Sequence, residues 1–381
     1  MAVVVLVLAA LGPARAAEDS SEPLRIKIGP YQQHVTRDSI TIMWETNRPA
    51  SSVVEYGTAA PPTLRCESAG EAKMHEVTIT GLLAELVFFY RVISEAGGER
   101  VESEVYPFKT AAVEGTPFAF AVVGDNRSNP ENWGRIADLC YAERPNFVIN
   151  VGDLCADGNV YEEWIEQWLA PAATLMARVP MYASIGNHER NADWYYYYVS
   201  YPQPENYYSF DYGNAHFVAV DTNQDVSPDS PQYRWLEKDL RRADERWKFV
   251  FHHHPLYSSD LNDYGDTTKE QSTLGHLNLR HLARLYENYG VDVVFVGHIH
   301  SYERTWPMRG GKVNHNGGVI YLQAGGGGAP LEDFAPERSY FTAKVASNHH
   351  YCIVAISGNT LRMMAYDIDG RMFDYLDVNK R

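Results

Sequence analysis

The sequence predicts an α/β protein in which an antiparallel β-sandwich precedes a four-layer α/β/β/α sandwich. Short β-rich segments separated by turn residues fill the first part of the chain. Five apolar runs with polar or glycine-containing tips alternate with helical patterns in the second part, and strand alternation returns at the end. At 381 residues, 45% hydrophobic and 22% charged, the chain has the length of two or three globular domains.

Taken in order, the apolar run Val3 to Leu11 and the small-x-small site Ala14-Arg15-Ala16 read as a signal peptide over residues 1–16, too short to cross a bilayer. No later stretch approaches 18 apolar residues, so the mature chain is expected to be exported, periplasmic or extracellular, without a transmembrane anchor. Residues 24–112 hold alternating segments such as Ser39 to Glu45, Ser52 to Gly57, His75 to Thr80 and Val87 to Val92, which argue for the β-sandwich. Ala111 to Gly115 reads as a linker, and residues 117–378 carry the α/β pattern. There, Asn129 with Pro130 opens one helix and Leu279 to Tyr289 closes another at Gly290. Tyr351 to Val378, with a turn at Asp369-Gly370, is expected to complete a second sheet together with Val319 to Leu322.

The balance of 33 Lys and Arg against 49 Asp and Glu gives a net charge of −16, the wrong sign for holding nucleic acid through its phosphates. An anionic small-molecule substrate then needs a local cationic site, which metal ions supply. Cys66, Cys140, Cys155 and Cys352 contain no Cys-x-x-Cys pair and form neither a metal knuckle nor a redox motif; a disulfide stays open.

The five apolar runs end in Gly124-Asp125, Gly152-Asp153, Gly186-Asn187-His188, His252-His253 and Gly297-His298-Ile299-His300. Ligands of α/β sheets sit beyond the carboxyl ends of the strands, where these tips converge. One Gly-Asp after a strand is ordinarily a turn, but five such tips in one domain are a constellation. Carboxylates, an amide oxygen and imidazoles suit zinc, manganese or iron and suit calcium poorly. Two such ions about 3.5 to 4 Å apart clamp a phosphoryl group for in-line attack, so the implied chemistry is phosphoester hydrolysis.

The order and spelling of these motifs resemble the calcineurin-like metallophosphoesterase superfamily, and more closely the purple acid phosphatases. Further carriers of the resemblance are Pro30-Tyr31, Trp44-Glu45, Asn206 to Gly213, Ser301 to Pro307 and Gly325 to Gly328. The resemblance implies a fibronectin type III-like N-terminal domain and a metallophosphoesterase domain holding two metal ions, iron, zinc or manganese. It implies that Asp125 and His300 hold the first ion, that Asn187, His253 and His298 hold the second, and that Asp153 bridges them. A metal-bound hydroxide would then cleave a phosphomonoester, with His188 as proton donor.

Two positions depart from the family pattern. Ala156 stands where the tyrosinate of purple acid phosphatases is found, so no purple colour is expected. Arg127 stands where many other metallophosphoesterases have a histidine ligand, and it is read instead as a bidentate binder of phosphate oxygens. Asn126 is an alternative oxygen donor to the first ion. His276 and Tyr257 are read as substrate-binding residues from the loop after the fourth tip. Glu189 is read as orienting His188 or as an exposed carboxylate, His252 and His254 as facing away from His253, and Tyr195 to Tyr198 as packing more than stacking on substrate. A phosphodiesterase or nucleotide hydrolase on the same site is the second reading. A surface binding protein with a degenerate phosphatase domain is the third.

Overall fold

A computed structural model describes residues 22–260, 274–335 and 338–380; the expected signal peptide lies outside the described residues. Strands Ile26–Gln33, Ser39–Gly57, Leu64–Thr80, Val87–Ala96, Glu99–Glu102 and Tyr106–Lys109 form an antiparallel N-terminal unit. The first half of Ser39–Gly57 pairs with Ile26–Gln33 and its second half with Val87–Ala96, with a register shift between Glu45 and Ala50. Such a shift bends the strand and sharpens its twist. Alternation then turns Ile40, Ile42, Trp44, Val77 and Ile79 inward, where the Trp44 indole stacks on His75 at 4.6 Å and donates to Ser94 Oγ at 2.9 Å.

The rest of the chain builds two sheets. One runs in the order Met372–Asn379, Thr360–Asp367, His350–Ser357, Phe118–Val123, Phe147–Asn150, Met181–Ala183. The other runs Tyr208–Tyr212, Ala215–Ala219, Trp247–Phe251, Val293–Val296, Ile320–Ala324, Tyr302–Thr305, Thr342–Ala346. The first is parallel from Phe118–Val123 to its Met181–Ala183 edge and antiparallel on the other side, whereas the second has a parallel centre and antiparallel edges. The C-terminal strands therefore do not join Val319 to Leu322 in one sheet: Cys352 pairs with Val122 in the first, whereas Ile320 pairs with Val293 in the second. Periodicity marks a strand's faces and leaves its neighbour unspecified.

Between the sheets lies an aromatic layer in which Phe120 meets Phe217, Phe249 and Phe295 at 5.2, 5.4 and 5.9 Å. Helix Pro130–Ala142 covers one outer face through Trp133, Ile136 and Cys140, and helices Pro231–Arg242 and Arg280–Tyr289 cover the other through Leu236, Leu240, Leu282 and Tyr286. The expected caps form: Asn129 accepts the Asn132 amide, and Gly290 ends its helix at φ 70°. The four cysteines are free thiols, and among the described residues no helix is long and apolar enough to cross a membrane.

The N-terminal unit is bonded to the rest through buried polar groups. Tyr31 donates to the Tyr198 carbonyl at 2.9 Å, and Gln32 and Tyr90 donate to the Ala177 carbonyl at 2.9 and 2.8 Å. Glu45, itself buried, accepts the hydroxyls of Tyr161 at 2.6 Å and Tyr198 at 2.7 Å. Tyr195 and Tyr198, on helix Asp193–Tyr198, are thus packing residues.

Two polar clamps generate predictions. Arg304 grips Asp374 through Nε at 2.7 Å and Nη2 at 3.0 Å, tying one sheet to the edge of the other. Arg304→Ala leaves the half-buried Asp374 carboxylate without its partner and should cost about 1 to 3 kcal/mol in urea denaturation. His216, buried, sits between Asp211 at 2.6 Å and Asp239 at 2.8 Å. Burial opposes its protonation, but the two carboxylates outweigh burial and raise its pKa to about 9. Because the folded value exceeds the unfolded one, this stabilisation is complete below about pH 6.5 and fades as pH rises through 9. The stability difference between the wild type and His216→Asn, at most about 3 kcal/mol at pH 6, should vanish by pH 10 in paired denaturation curves.

Candidate metal centre and active site

Three of the five tips leave the first sheet and two leave the second, so they meet where the carboxyl ends of both sheets adjoin. The backbone at the bends is left-handed, with φ of 56° at Asp125, 58° at Asp153 and 73° at His298. Non-glycine residues hold such angles only where surrounding contacts enforce them. Here the Asp125 amide donates to the Gly152 carbonyl at 2.9 Å, and the His298 amide donates to both Asp125 carboxylate oxygens at 3.0 Å. The glycines permit the close approach: a Cβ on Gly152 would stand 2.9 Å from His253 Nδ1, and one on Gly297 would strike the Asp125 carboxylate.

Asp153 is the hub. Its Oδ1 accepts the His188 amide at 3.0 Å and faces His253 Nε2 at 3.2 Å, while Oδ2 accepts from Arg127 Nε at 3.2 Å. Asn187 Oδ1 lies 3.1 Å from His253 Nε2 and 3.0 Å from His298 Nδ1. On the other side His300 Nε2 lies 3.7 Å from Asp125 Oδ1 and 3.2 Å from Arg127 Nη2. His300 Nδ1 is fixed by the Pro330 carbonyl at 2.7 Å, and its amide donates to Glu332 at 2.9 Å. Asp125, Asp153, Asn187, His253, His298, His300, His188 and Arg127 are therefore brought together.

The donor set fits a metal ion. Four ligands held at about 2.1 Å in a tetrahedron stand roughly 3.4 Å apart, close to the 3.0 to 3.2 Å separations linking Asp153, Asn187, His253 and His298. With His253 Nδ1 fixed on the Val151 carbonyl at 2.9 Å, its Nε2 is turned to the two oxygens.

Electrostatics separates the two carboxylates. Burial, and then the charge of Asp153, raise Asp125 well above the usual carboxylate range. Burial pushes Asp153 in the same direction, but His253, His188 and Arg127 outweigh it and hold Asp153 well below that range. His253 shows the converse: burial disfavours its proton, yet Asp153 and Asp125 raise its pKa to about 10. Burial and the Arg127 guanidinium bring His300 down to about 4, and burial lowers His188.

Several expectations change. Glu189 is neither exposed nor bonded to His188; fully buried, it accepts the amides of Asp153 at 3.1 Å, Leu154 and Gly186, binding two tips together, and burial raises it to about 7. His188 is oriented instead by the Ala156 carbonyl, 2.6 Å from Nδ1. Asn126 is not turned to the ligands: it donates to the Leu154 carbonyl at 2.9 Å and accepts from Asn150 at 2.9 Å. Tyr257 is buried away from the site, against Tyr321 and Phe341 under the Arg280 guanidinium, because its aromatic bulk finds a core across the loop. His254 does not face away, since the strand ends at Phe251 and alternation no longer applies; its ring lies 4.6 Å from that of His298 and 4.9 Å from His276. His276 thus reaches the cluster, 5.3 Å from His298. Two supporting residues escaped the sequence reading: Thr222, 2.8 Å from His254 Nδ1, and Glu332 behind His300. Neither carries a local signal, because each arrives from a distant loop.

Residues 118–302 match the calcineurin-like phosphoesterase family. Purple acid phosphatase 21 of Arabidopsis thaliana is 30% identical over 339 residues, which cover 80% of this chain and 72% of that protein. A nucleotide pyrophosphatase/phosphodiesterase of Hordeum vulgare is 25% identical over 274 residues, covering 62% of this chain and 72% of the relative. The solved structure of a purple acid phosphatase from yellow lupin (Lupinus luteus) seeds shares the fold with a TM-score of 0.81 at 20% identity, over 92% of this chain and 74% of that one. Two sheets joined at a carboxylate and imidazole cluster, and a relative this similar over this length, lead to one conclusion: the chain belongs to the purple acid phosphatase-like metallophosphoesterases, metal-dependent hydrolases of phosphoesters whose family is built on a dinuclear metal centre.

Proposed function

We propose that the chain hydrolyses phosphomonoesters at the Asp153 hub, with Arg127 binding the phosphoryl oxygens and His188 protonating the leaving oxygen. The observation that carries this reading is the convergence of four donors within 3.0 to 3.2 Å, flanked by an arginine and a histidine. A bound ion there supplies Lewis-acid polarisation of a phosphoryl oxygen and an acidified water. Asp153, Asn187, His253 and His298 would hold it, and Asp125 and His300 form the other half of the family's centre.

Arg127 offers N–H groups in a planar fork suited to phosphate, and its side chain is 16% exposed. His188 keeps Nδ1 on the Ala156 carbonyl, which turns Nε2 toward Asp153 Oδ2 at 3.9 Å; in the imidazolium form, which the Asp153 charge favours against burial, the Nε2 proton is the one given to the leaving oxygen. His254 and His276 extend the imidazole wall beside His298 and can contact substrate oxygens. The Val3 to Leu11 run and Ala14-Arg15-Ala16 support export, and residues 24–112 are read as the fibronectin type III-like domain.

A second reading, cleavage of phosphodiesters or nucleotides on the same site, draws support from the barley relative. Rates on p-nitrophenyl phosphate and bis(p-nitrophenyl) phosphate decide between the two, a faster monoester favouring the first. Activity should fall on chelation, return with zinc, manganese or iron, and be lost in Asp153→Ala; full activity in that variant would sink the proposal. His188→Ala should lower kcat by about 10² to 10⁴ on an alkyl phosphate. On p-nitrophenyl phosphate, whose leaving group needs little protonation, the loss should be much smaller, and equal losses would remove His188 as proton donor.

A further inference from the structure

We infer that this chain holds one metal ion at the hub, because the Arg127 guanidinium stands in the place of the first ion. The inference rests on the metallophosphoesterase reading and concerns how this chain departs from it.

The two halves of the cluster differ in what fills them. In the half formed by Asp153 Oδ1, Asn187 Oδ1 and His253 Nε2, His253 Nδ1 rests on the Val151 carbonyl and Nε2 meets the two oxygens at 3.2 and 3.1 Å, with no arginine or lysine of the described residues among them. A cation is what such a group of atoms gathers around: without an ion a proton on His253 Nε2 bonds the two oxygens, and a metal ion would take that proton's place. In the half formed by Asp125, Asp153 Oδ2 and His300 Nε2, a cation of the chain is already in place. His300 Nδ1 donates to the Pro330 carbonyl at 2.7 Å, so Nε2 carries the lone pair, and Arg127 Nη2 meets it at 3.2 Å. Arg127 Nε meets Asp153 Oδ2, the oxygen available for bridging, at 3.2 Å. Guanidinium nitrogens only donate, so the one lone pair of His300 Nε2 and one of the two on Asp153 Oδ2 are engaged by N–H groups, and the guanidinium charge occupies the space where an ion would approach them to about 2.0 to 2.2 Å.

Among the described residues, Ala156 and Asn126 do not compensate. Ala156 has no donor side chain and its carbonyl faces His188 Nδ1, while the Asn126 amide is turned to Leu154 and Asn150. Both Asp125 oxygens accept the His298 amide. Arg127 thus takes over the first ion's electrostatic part: it neutralises Asp153 and keeps N–H groups for a phosphate oxygen. With 16% of its side chain exposed, it is open to such an oxygen from solvent.

Metal stoichiometry tests this independently of turnover. The full chain is stripped with chelator, titrated calorimetrically with zinc, and assayed by elemental analysis after dialysis; manganese loading is followed by electron paramagnetic resonance. The expected result is one equivalent of zinc per chain and an uncoupled manganese signal. Arg127→Gly and Arg127→His should each take up a second equivalent, His253→Ala should bind none, and His300→Ala should still bind one. Two equivalents in the wild type, or a single equivalent lost in His300→Ala, would overturn the inference. One equivalent in the wild type and in both Arg127 variants, with circular dichroism showing them folded, would overturn the role given to Arg127. No metal bound, with activity insensitive to chelator, would instead overturn the metallophosphoesterase reading itself.

Discussion

Two carboxylates, Asp125 and Asp153, are placed in one cluster with almost no solvent contact, and the remainder of the site answers to that constraint. Like charges so placed cannot both ionise in a medium that screens poorly. His253 and Arg127 supply positive charge from one side, and three amides donated to Glu189 lock the Asp153 turn from behind. The left-handed backbone at Asp125, Asp153 and His298 is strain that only a rigid surround sustains.

That surround comes from the sheets. Parallel strands deliver their carboxyl ends to one edge, and the phenylalanine layer between the sheets fixes the distance between the two groups of tips. Glycine then sets how close the tips come, since a Cβ on Gly186 would collide with Asp153 and Glu189. Fold and chemistry are coupled through packing distances of this kind, for which a ligand list alone gives no account.

Much of this was legible before any coordinates. A glycine ahead of four of the five polar tips, and the His252 to His254 run at the other, mark where buried strands turn sharply, so Asp125, Asp153, Asn187, His253, His298 and His300 stand out as a set. Arg127 stood out too, as a charged residue where a ligand was expected. What could not be read depends on contacts between distant segments. Tyr257 is equally compatible with a pocket wall and a core, and only its neighbours Tyr321 and Phe341 decide. Alternation placed His254 on the wrong side because nothing local shows that the strand has ended. The C-terminal hairpins carried a clear period and no information about which sheet they would join.

The buried Glu45 has a reach beyond its own domain. Tyr198, which it holds, closes the helix that begins a few residues after Asn187 and His188, and Tyr161 follows closely on the Asp153 turn. Through these two bonds the N-terminal unit braces segments next to two of the five tips. Shuffling in a foreign sandwich without a carboxylate at that position would leave two tyrosine hydroxyls facing an interface that no longer answers them, a cost that any exchange of the N-terminal unit has to meet.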